Sequence, residues 1–460
     1  MIKIKIGEIA KIVGGKSNGV DESKEVSLTA VINSNDAAPG TFFVAFEGEK
    51  LDGHQFAEAA LKNGAEFVLS SKPISGANIQ VSDVLDALTK LAKFNRESLK
   101  SLKVVAITGS QGKTTAKDLT KHLLEVMGTT VAPQASLNNE LGVPLLLLKC
   151  DENTKYCIVE MGARHKGDIA HLVEIAAPNI GVVLNVGHAH IGEFGSREEI
   201  AETKAEIIAG LPENGVAILG NYDQFTPKMA DGMGLKTIIF GENSNCDVRA
   251  ADIEVREGRA NFDLVAPSGR AAVSLQLLGM HQISNALAAA SIASELGMSI
   301  DSIAAALSTA ELASKWRMEL REVRDIAIIN DSYNANPESM VAGLRTLALL
   351  AQERGGVSWA ILGKMHELGA SEHEEHQMIG KIASDIGIDH LISIGVKEYL
   401  ERLSEGETVG HLVSNATQVS EYVEHFSPGD VLLIKASRAE NLNLLVDQII
   451  EIIEMGEVEK

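Results

Sequence analysis

The chain has 460 residues, 45% of them hydrophobic, and a formal net charge of -22. That length exceeds what one hydrophobic core organises and suggests about three domains at roughly 150 residues each. The acidic balance argues against a nucleic-acid partner, whose phosphates demand basic surface. Any nucleotide must instead be neutralised locally, by loop amides, helix N-termini, a few Lys or Arg, and divalent metal.

In chain order, Met1 to Gly15 alternates apolar and polar residues like a strand and lacks the basic segment and long apolar run of a secretory leader. No apolar run approaches the roughly 18 residues of a membrane span, so a cytoplasmic chain is expected; a monomer is a separate expectation. Residues 1–100 carry short strand-like runs, Phe42 to Phe46 and Phe67 to Leu69, and a helical stretch from Phe56 to Leu61, which predicts a small α/β unit. From Val104 the pattern becomes apolar strand, glycine turn and amphipathic helix, repeated through Tyr156 to Val159 and Ile180 to Val186. That is a parallel-sheet signature, and it predicts a nucleotide-binding central domain over 101–313. Candidate strands Ile326 to Ile329, Ala360 to Leu362, Leu391 to Ile394 and Val431 to Ile434 predict a Rossmann-like domain over 314–460. Cys150, Cys157 and Cys246 lack the spacing of a zinc site or disulfide framework and read as buried thiols.

The strongest local signal is the run Val104 to Thr115, a strand, a glycine loop and a helix start, with Gly109, Ser110, Gln111, Gly112, Lys113, Thr114 and Thr115 in the loop and first turn. Glycines let backbone amides face an anion, Lys113 has the reach for β/γ phosphates, and the Thr114 hydroxyl suits Mg²⁺. The general pattern has glycine at the position of Ile107, so an ordinary strand-to-helix turn stays open. Glu160 and His190 follow apolar strands, at the sheet edge where ligands bind. Each suits a metal, and each alone also suits a structural role. Ser196 and Glu199 form a capping-box pattern opening a helix that ends near Gly210 and puts Ile200, Lys204, Ile207 and Ile208 on one face. A lysine in that stripe either snorkels to its edge or is buried, and a buried amine must be paired, neutralised or modified; the neutral amine can add CO₂ to give a metal-binding carbamate. Further on, the strand ending at Ile329 delivers Asp331, with Asn336 and Pro337 placed to open the next helix. A carboxylate and amides there suit a ribose or adenine edge, or a helix-capping loop with no ligand.

Together these segments resemble the Mur ligase family over essentially the whole chain. The likeness rests on a set in order: Gly109 to Thr115, Asn138 to Pro144, Glu160 to Ala163, Ala189-His190 with Phe194 to Ser196, and Lys204 to Glu206. It continues through Gly279 to His281 with Asn285-Ala286, Arg317 to Glu319, Asp331 to Met340, Met365 to Gly369 and Lys435 to Arg438. Within the family, Asp331 to Pro337 and Glu367-Leu368-Gly369 resemble the member that joins D-Ala-D-Ala to a UDP-N-acetylmuramoyl-tripeptide. The Asp-Tyr-Ala-His and DNPR-type motifs of the third-residue-adding member are absent. Four places depart from common family residues: Asn33-Ser34-Asn35 in place of Asp-Ser-Arg, Trp316 and Ala436 in place of glycine, and Lys364 in place of aspartate.

The resemblance implies a UDP-precursor-binding N-terminal domain, a central ATPase domain, and a C-terminal domain binding ATP and the dipeptide. It implies ATP and two Mg²⁺ ions: Lys113 on the transferred phosphate, Thr114 and Glu160 on one ion, His190 and carbamylated Lys204 on the other. Asn285, Arg317, Asp331 and Asn334 would hold ATP. The implied reaction passes through an acyl phosphate inside a closed cleft. The alternatives are a family relative with another acceptor (the third-residue ligase or a folylpolyglutamate-synthase-like enzyme) and a phosphate-loop nucleotide-binding protein without ligase activity.

Overall fold

The computed structural model describes residues 1–48, 51–133, 137–187, 194–404, 406 and 408–455. The fold is α/β, organised on three main sheets. The N-terminal sheet has five strands in the order Lys16–Asn18, Asn78–Gln80, Val68–Ser70, Thr41–Val44 and Thr29–Val31, parallel except for the first pair.

The opening residues overturn the strand reading. Only Ile4–Lys5 is extended, and Ile6–Val13 is a helix. Alternation stops at Gly7, while from Ile6 onward the buried Ile6, Ile9, Ala10 and Val13 follow the helical i, i+3, i+4, i+7 spacing, and Gly14 ends the helix with φ 64°.

The N-terminal unit is docked firmly onto the next. Its last helix, Val84–Ser98, packs against the helices Gly142–Leu147 and Asp168–Ala176. Asn95 is fully buried, accepts from the Ile2 amide at 2.9 Å, and donates to the carbonyls of Leu147 at 2.9 Å and Cys150 at 3.0 Å. Arg96 donates to the carbonyls of Ala176 and Ala177, satisfying orphan acceptors where a helix ends.

The central sheet has nine strands. Five parallel strands carry the site, in the spatial order Val216–Gly220, Ile180–Val183, Lys103–Thr108, Tyr156–Glu160 and Thr130–Val131. Beyond Val216–Gly220 lies a further parallel strand, Lys236–Gly241, and the three strands from Val248 to Leu278 extend that edge as an antiparallel meander. Lys103–Thr108 lies between strands that follow it in sequence, so its carboxyl end opens at a topological switch point. The C-terminal sheet has six strands in the order Glu319–Val323, Ile326–Asn330, Val431–Lys435, Ser358–Leu362, His390–Ile394 and Val409–Val413, and only the first pair is antiparallel. The predicted strands here sit within a residue or two of those observed, because fully buried β-branched runs leave little choice of element. Cys150, Cys157 and Cys246 are free and buried, as expected. Among the described residues no helix is long and apolar enough to cross a membrane.

Candidate active site

Gly109 starts the loop after Lys103–Thr108. A Cβ there would lie 2.9 Å from the Leu184 Cβ, so the backbone approaches the neighbouring strand as only glycine allows. This explains why Ile107 suffices where the general pattern has glycine: position 107 is still inside the strand, fully buried, its carbonyl accepting from Met161. Asn185 shapes the loop, its carbonyl accepting from the Ser110 amide at 3.0 Å and its side chain from the Gln111 amide at 3.1 Å. Gly112 caps the helix Lys113–Glu125 at φ 80°, and a Cβ would stand 2.2 Å from Asn285 Oδ1. The first-turn amides beyond it have no acceptor within the helix, which makes the loop an anion cradle.

Lys113 folds back, donating to the Gly109 carbonyl at 2.7 Å. Burial lowers its pKa; Glu160 opposes that shift and Arg317 adds to it. Glu160 is the last residue of its strand, not beyond it, and is 1% exposed. Its carboxylate accepts from the Thr114 hydroxyl at 3.1 Å and the Asn138 amide at 3.1 Å, and among the described residues no cation forms an ion pair with it. A buried carboxylate held only by neutral donors, with a hydroxyl at its side, is an oxygen set suited to a hard divalent cation.

From the C-terminal domain, Arg317 reaches across 203 residues of sequence to donate to Thr114 Oγ1 at 2.9 Å, its guanidinium stacked 3.9 Å from the centroid of the Tyr333 ring. Asp331 is gripped by Lys435 at 2.6 Å and by the Met318 amide at 3.2 Å. Lys435, 1% exposed, also donates to the Asn334 carbonyl at 2.7 Å. Asn336 and Ser339 form the capping box of the helix Pro337–Arg354, which sets the direction of the Asp331 to Asn336 loop.

These groups line one cavity of about 560 Å³ between the carboxyl edges of the central and C-terminal sheets. It brings together the predicted Ser110, Gln111, Gly112, Lys113, Thr114, Thr115, Glu160, Asn285, Arg317, Asp331 and Asn334. Gly109 contributes its carbonyl just behind the lining. Lys204 is not in the lining: it sits in the helix Arg197–Ala209, opened by Ser196 as expected, and is buried with Ile200, Ile207 and Ile208. Burial, with Lys113 as the second cause, pushes its pKa well below the usual lysine value, and among the described residues it has no hydrogen-bond or ion-pair partner. His190 lies outside the described residues.

Sequence reasoning gave no role to Asn185, His281, Lys435 or Arg438, all of which line the cavity. Lys435 was detectable as a charge closing an apolar strand, and His281 and Arg438 fall in stretches that carry the family likeness, whereas Asn185 sits in a loop with no periodic signal.

Such a fold and site define a phosphate-loop enzyme whose nucleotide cavity is completed by a second, Rossmann-like domain. Profiles described as "Mur ligase family, catalytic domain", "Mur ligase middle domain" and "Mur ligase, glutamate ligase domain" match residues 30–107, 107–293 and 316–438. The chain is 36% identical, over 98% of each chain, to the UDP-N-acetylmuramoyl-tripeptide–D-alanyl-D-alanine ligase of Mycobacterium tuberculosis. Its structure resembles MurF from Acinetobacter baumannii with a TM-score of 0.88 and 30% identity, covering 98% of this chain and 99% of that one. It also resembles the MurF ligase of Thermotoga maritima in complex with ADP, with a TM-score of 0.81 and 29% identity, covering 93% and 98%. The chain belongs to the Mur ligase family.

Proposed function

We propose that this protein joins D-Ala-D-Ala to a UDP-N-acetylmuramoyl-tripeptide with ATP, through an acyl phosphate, in the synthesis of peptidoglycan precursors. The observation that carries the reading is the cavity itself, where the phosphate loop of one domain and Arg317, Asp331 and Asn334 of another face the same space. Whole-length similarity to relatives named for this reaction selects the acceptor.

Amide formation in water is uphill, and the chain's contribution is positioning and charge neutralisation. The amides of the first turn from Lys113 receive the phosphates, and the Lys113 amine swings from the Gly109 carbonyl to the transferred phosphoryl group. Asn285, Arg317, Asp331 and Asn334 hold ATP, Asp331 in a geometry fixed by Lys435. Closure of the C-terminal domain on the central one keeps water from the acyl phosphate until the dipeptide amine attacks. Thr114 and Glu160 are the residues suited to one Mg²⁺, and His190 with a carbamate on Lys204 to a second; bound there, the ions offset the charge of a carboxylate meeting an anionic phosphoryl group. The domains are proposed to span 1–100, 101–313 and 314–460, with the first holding the UDP end of the precursor.

The test is phosphate release from ATP and Mg²⁺ with the UDP-muramoyl-tripeptide, with and without D-Ala-D-Ala, together with product mass. Dipeptide-dependent release and the pentapeptide mass are expected. Release with a single amino acid in place of the dipeptide would assign a different acceptor, and ATP turnover indifferent to any amine would return the protein to simple nucleotide hydrolysis.

A further inference from the structure

Among the described residues, the wall of the cavity contributed by the C-terminal domain carries one cation that the nucleotide chemistry leaves unused. Arg438 follows the strand Val431–Lys435, and its guanidinium lies 4.3 Å from the centroid of the Trp316 ring while Nη1 donates to Asn443 Oδ1 at 2.6 Å. Both partners orient the group and neither neutralises it. The other cations of the cavity are committed: Lys113 belongs to the phosphate loop, Arg317 is drawn to Thr114, and Lys435 is paired with Asp331. Among the described residues no carboxylate pairs with Arg438, and nearby Glu440 is held by His366 at 2.7 Å.

We infer that Arg438, braced by Trp316 and Asn443, binds the terminal carboxylate of the incoming dipeptide. The assignment rests on the ligase reading above. A dipeptide acceptor is a zwitterion whose amine must be left free to attack, so its carboxylate is the one charged group open to fixed recognition. An arginine fork matches a carboxylate with two parallel hydrogen bonds, and a guanidinium already stacked on an indole loses little freedom when it makes them. Leu368 and Ala439 line the same wall and offer small apolar surface to methyl side chains. Trp316 adopts φ 62°, a backbone state costly for a bulky residue, and the ring that it brings under Arg438 gives that strain a purpose.

The experiment compares D-Ala-D-Ala with its C-terminal amide as acceptor, at saturating ATP and UDP-muramoyl-tripeptide, for the wild type, R438Q and R438K. The wild type should prefer the acid by on the order of 10- to 100-fold in kcat/KM, as for a charge-assisted bidentate contact. R438Q should lose that preference by losing activity on the acid alone, with KM for ATP and tripeptide within about threefold of wild type. R438K keeps charge without the fork, should retain part of the preference, and guards against a folding defect in R438Q. Undiminished preference for the acid in R438Q, or a rise in KM for ATP matching that for the dipeptide, overturns the assignment. Wild-type protein with no dipeptide-dependent turnover would instead overturn the ligase reading on which it rests.

Discussion

At the scale of single residues, Lys204 is the most informative side chain because its stability and its proposed role pull in opposite directions. A lysine buried among isoleucines, with Lys113 as a like charge acting on it, loses solvation and, among the described residues, gains no anion. Its charged form is disfavoured, and the neutral amine is the form that reacts with CO₂. Substitution by Met should therefore leave the fold as stable or more stable while abolishing ligation. Wild-type activity should fall in CO₂-depleted buffer and return with bicarbonate, and Lys204→Met should respond to neither. Melting temperature and turnover measured side by side check this, and near-normal turnover in the variant would remove Lys204 from the reaction. The sequence revealed this position through helical spacing alone, since an i, i+3, i+4 stripe interrupted by a lysine is visible without coordinates. The departures at Trp316 and Ala436 were visible too, but their reasons are spatial. Ala436 fits because Gly363 faces it, where an added Cβ would approach Ala436 Cβ to 2.8 Å, and Trp316 accepts a left-handed backbone beneath Arg438.

At the scale of elements, the helix that starts at the phosphate loop also anchors the chain entering the C-terminal domain. Lys117 and Asp118 form an ion pair at 2.8 Å with side chains 1% and 3% exposed. Lys117 also donates to the Pro133 carbonyl at 2.8 Å, and Asp118 accepts from the Ser314 amide at 3.1 Å, three residues before Arg317. Removing one partner of a buried pair costs about 3–5 kcal/mol, whereas replacing both by apolar groups is often neutral. Asp118→Ala should thus lower the melting temperature and raise KM for ATP, because the segment carrying Arg317 loses its tether. Lys117→Met/Asp118→Leu should recover the melting temperature but not the KM. Recovery of both would show that the pair serves stability only. None of this coupling was legible beforehand. Strands and helices follow local periodicity, whereas a contact between Asp118 and Ser314 spans 196 residues with no pattern linking them. The opening helix is masked in the sequence for a related reason: Ile2, Ile4 and Ile6 satisfy a period of two before Ile9, Ala10 and Val13 reveal the helical one.

At the scale of the whole molecule, two domains must present their sheet edges to one cavity, and one device that fixes this wall is sensitive to pH. His376 is buried, and its tautomer is forced by its partners: Nδ1 donates to the Glu372 carbonyl at 2.6 Å, so Nε2 is left to accept from the Met365 amide at 3.0 Å. That bond holds the start of the Met365 to Gly369 loop, whose His366, Glu367 and Leu368 line the cavity. Burial lowers the pKa of His376 despite the opposing Glu372 carbonyl and carboxylate, and burial likewise lowers those of His281, His390 and His411. The sign follows from linkage. Above the unfolded value of about 6.5 both states are neutral and the stability is intact. As pH falls below it the unfolded chain takes up protons that the folded chain refuses, so stability declines until the depressed folded value is passed and the loss levels off. The melting temperature should therefore drop steadily on acidification from neutrality. His376→Gln should show a shallower decline than wild type, whatever its absolute stability, because one proton fewer is linked to unfolding. Parallel slopes for the two proteins would mean that His376 takes no part in the acid response.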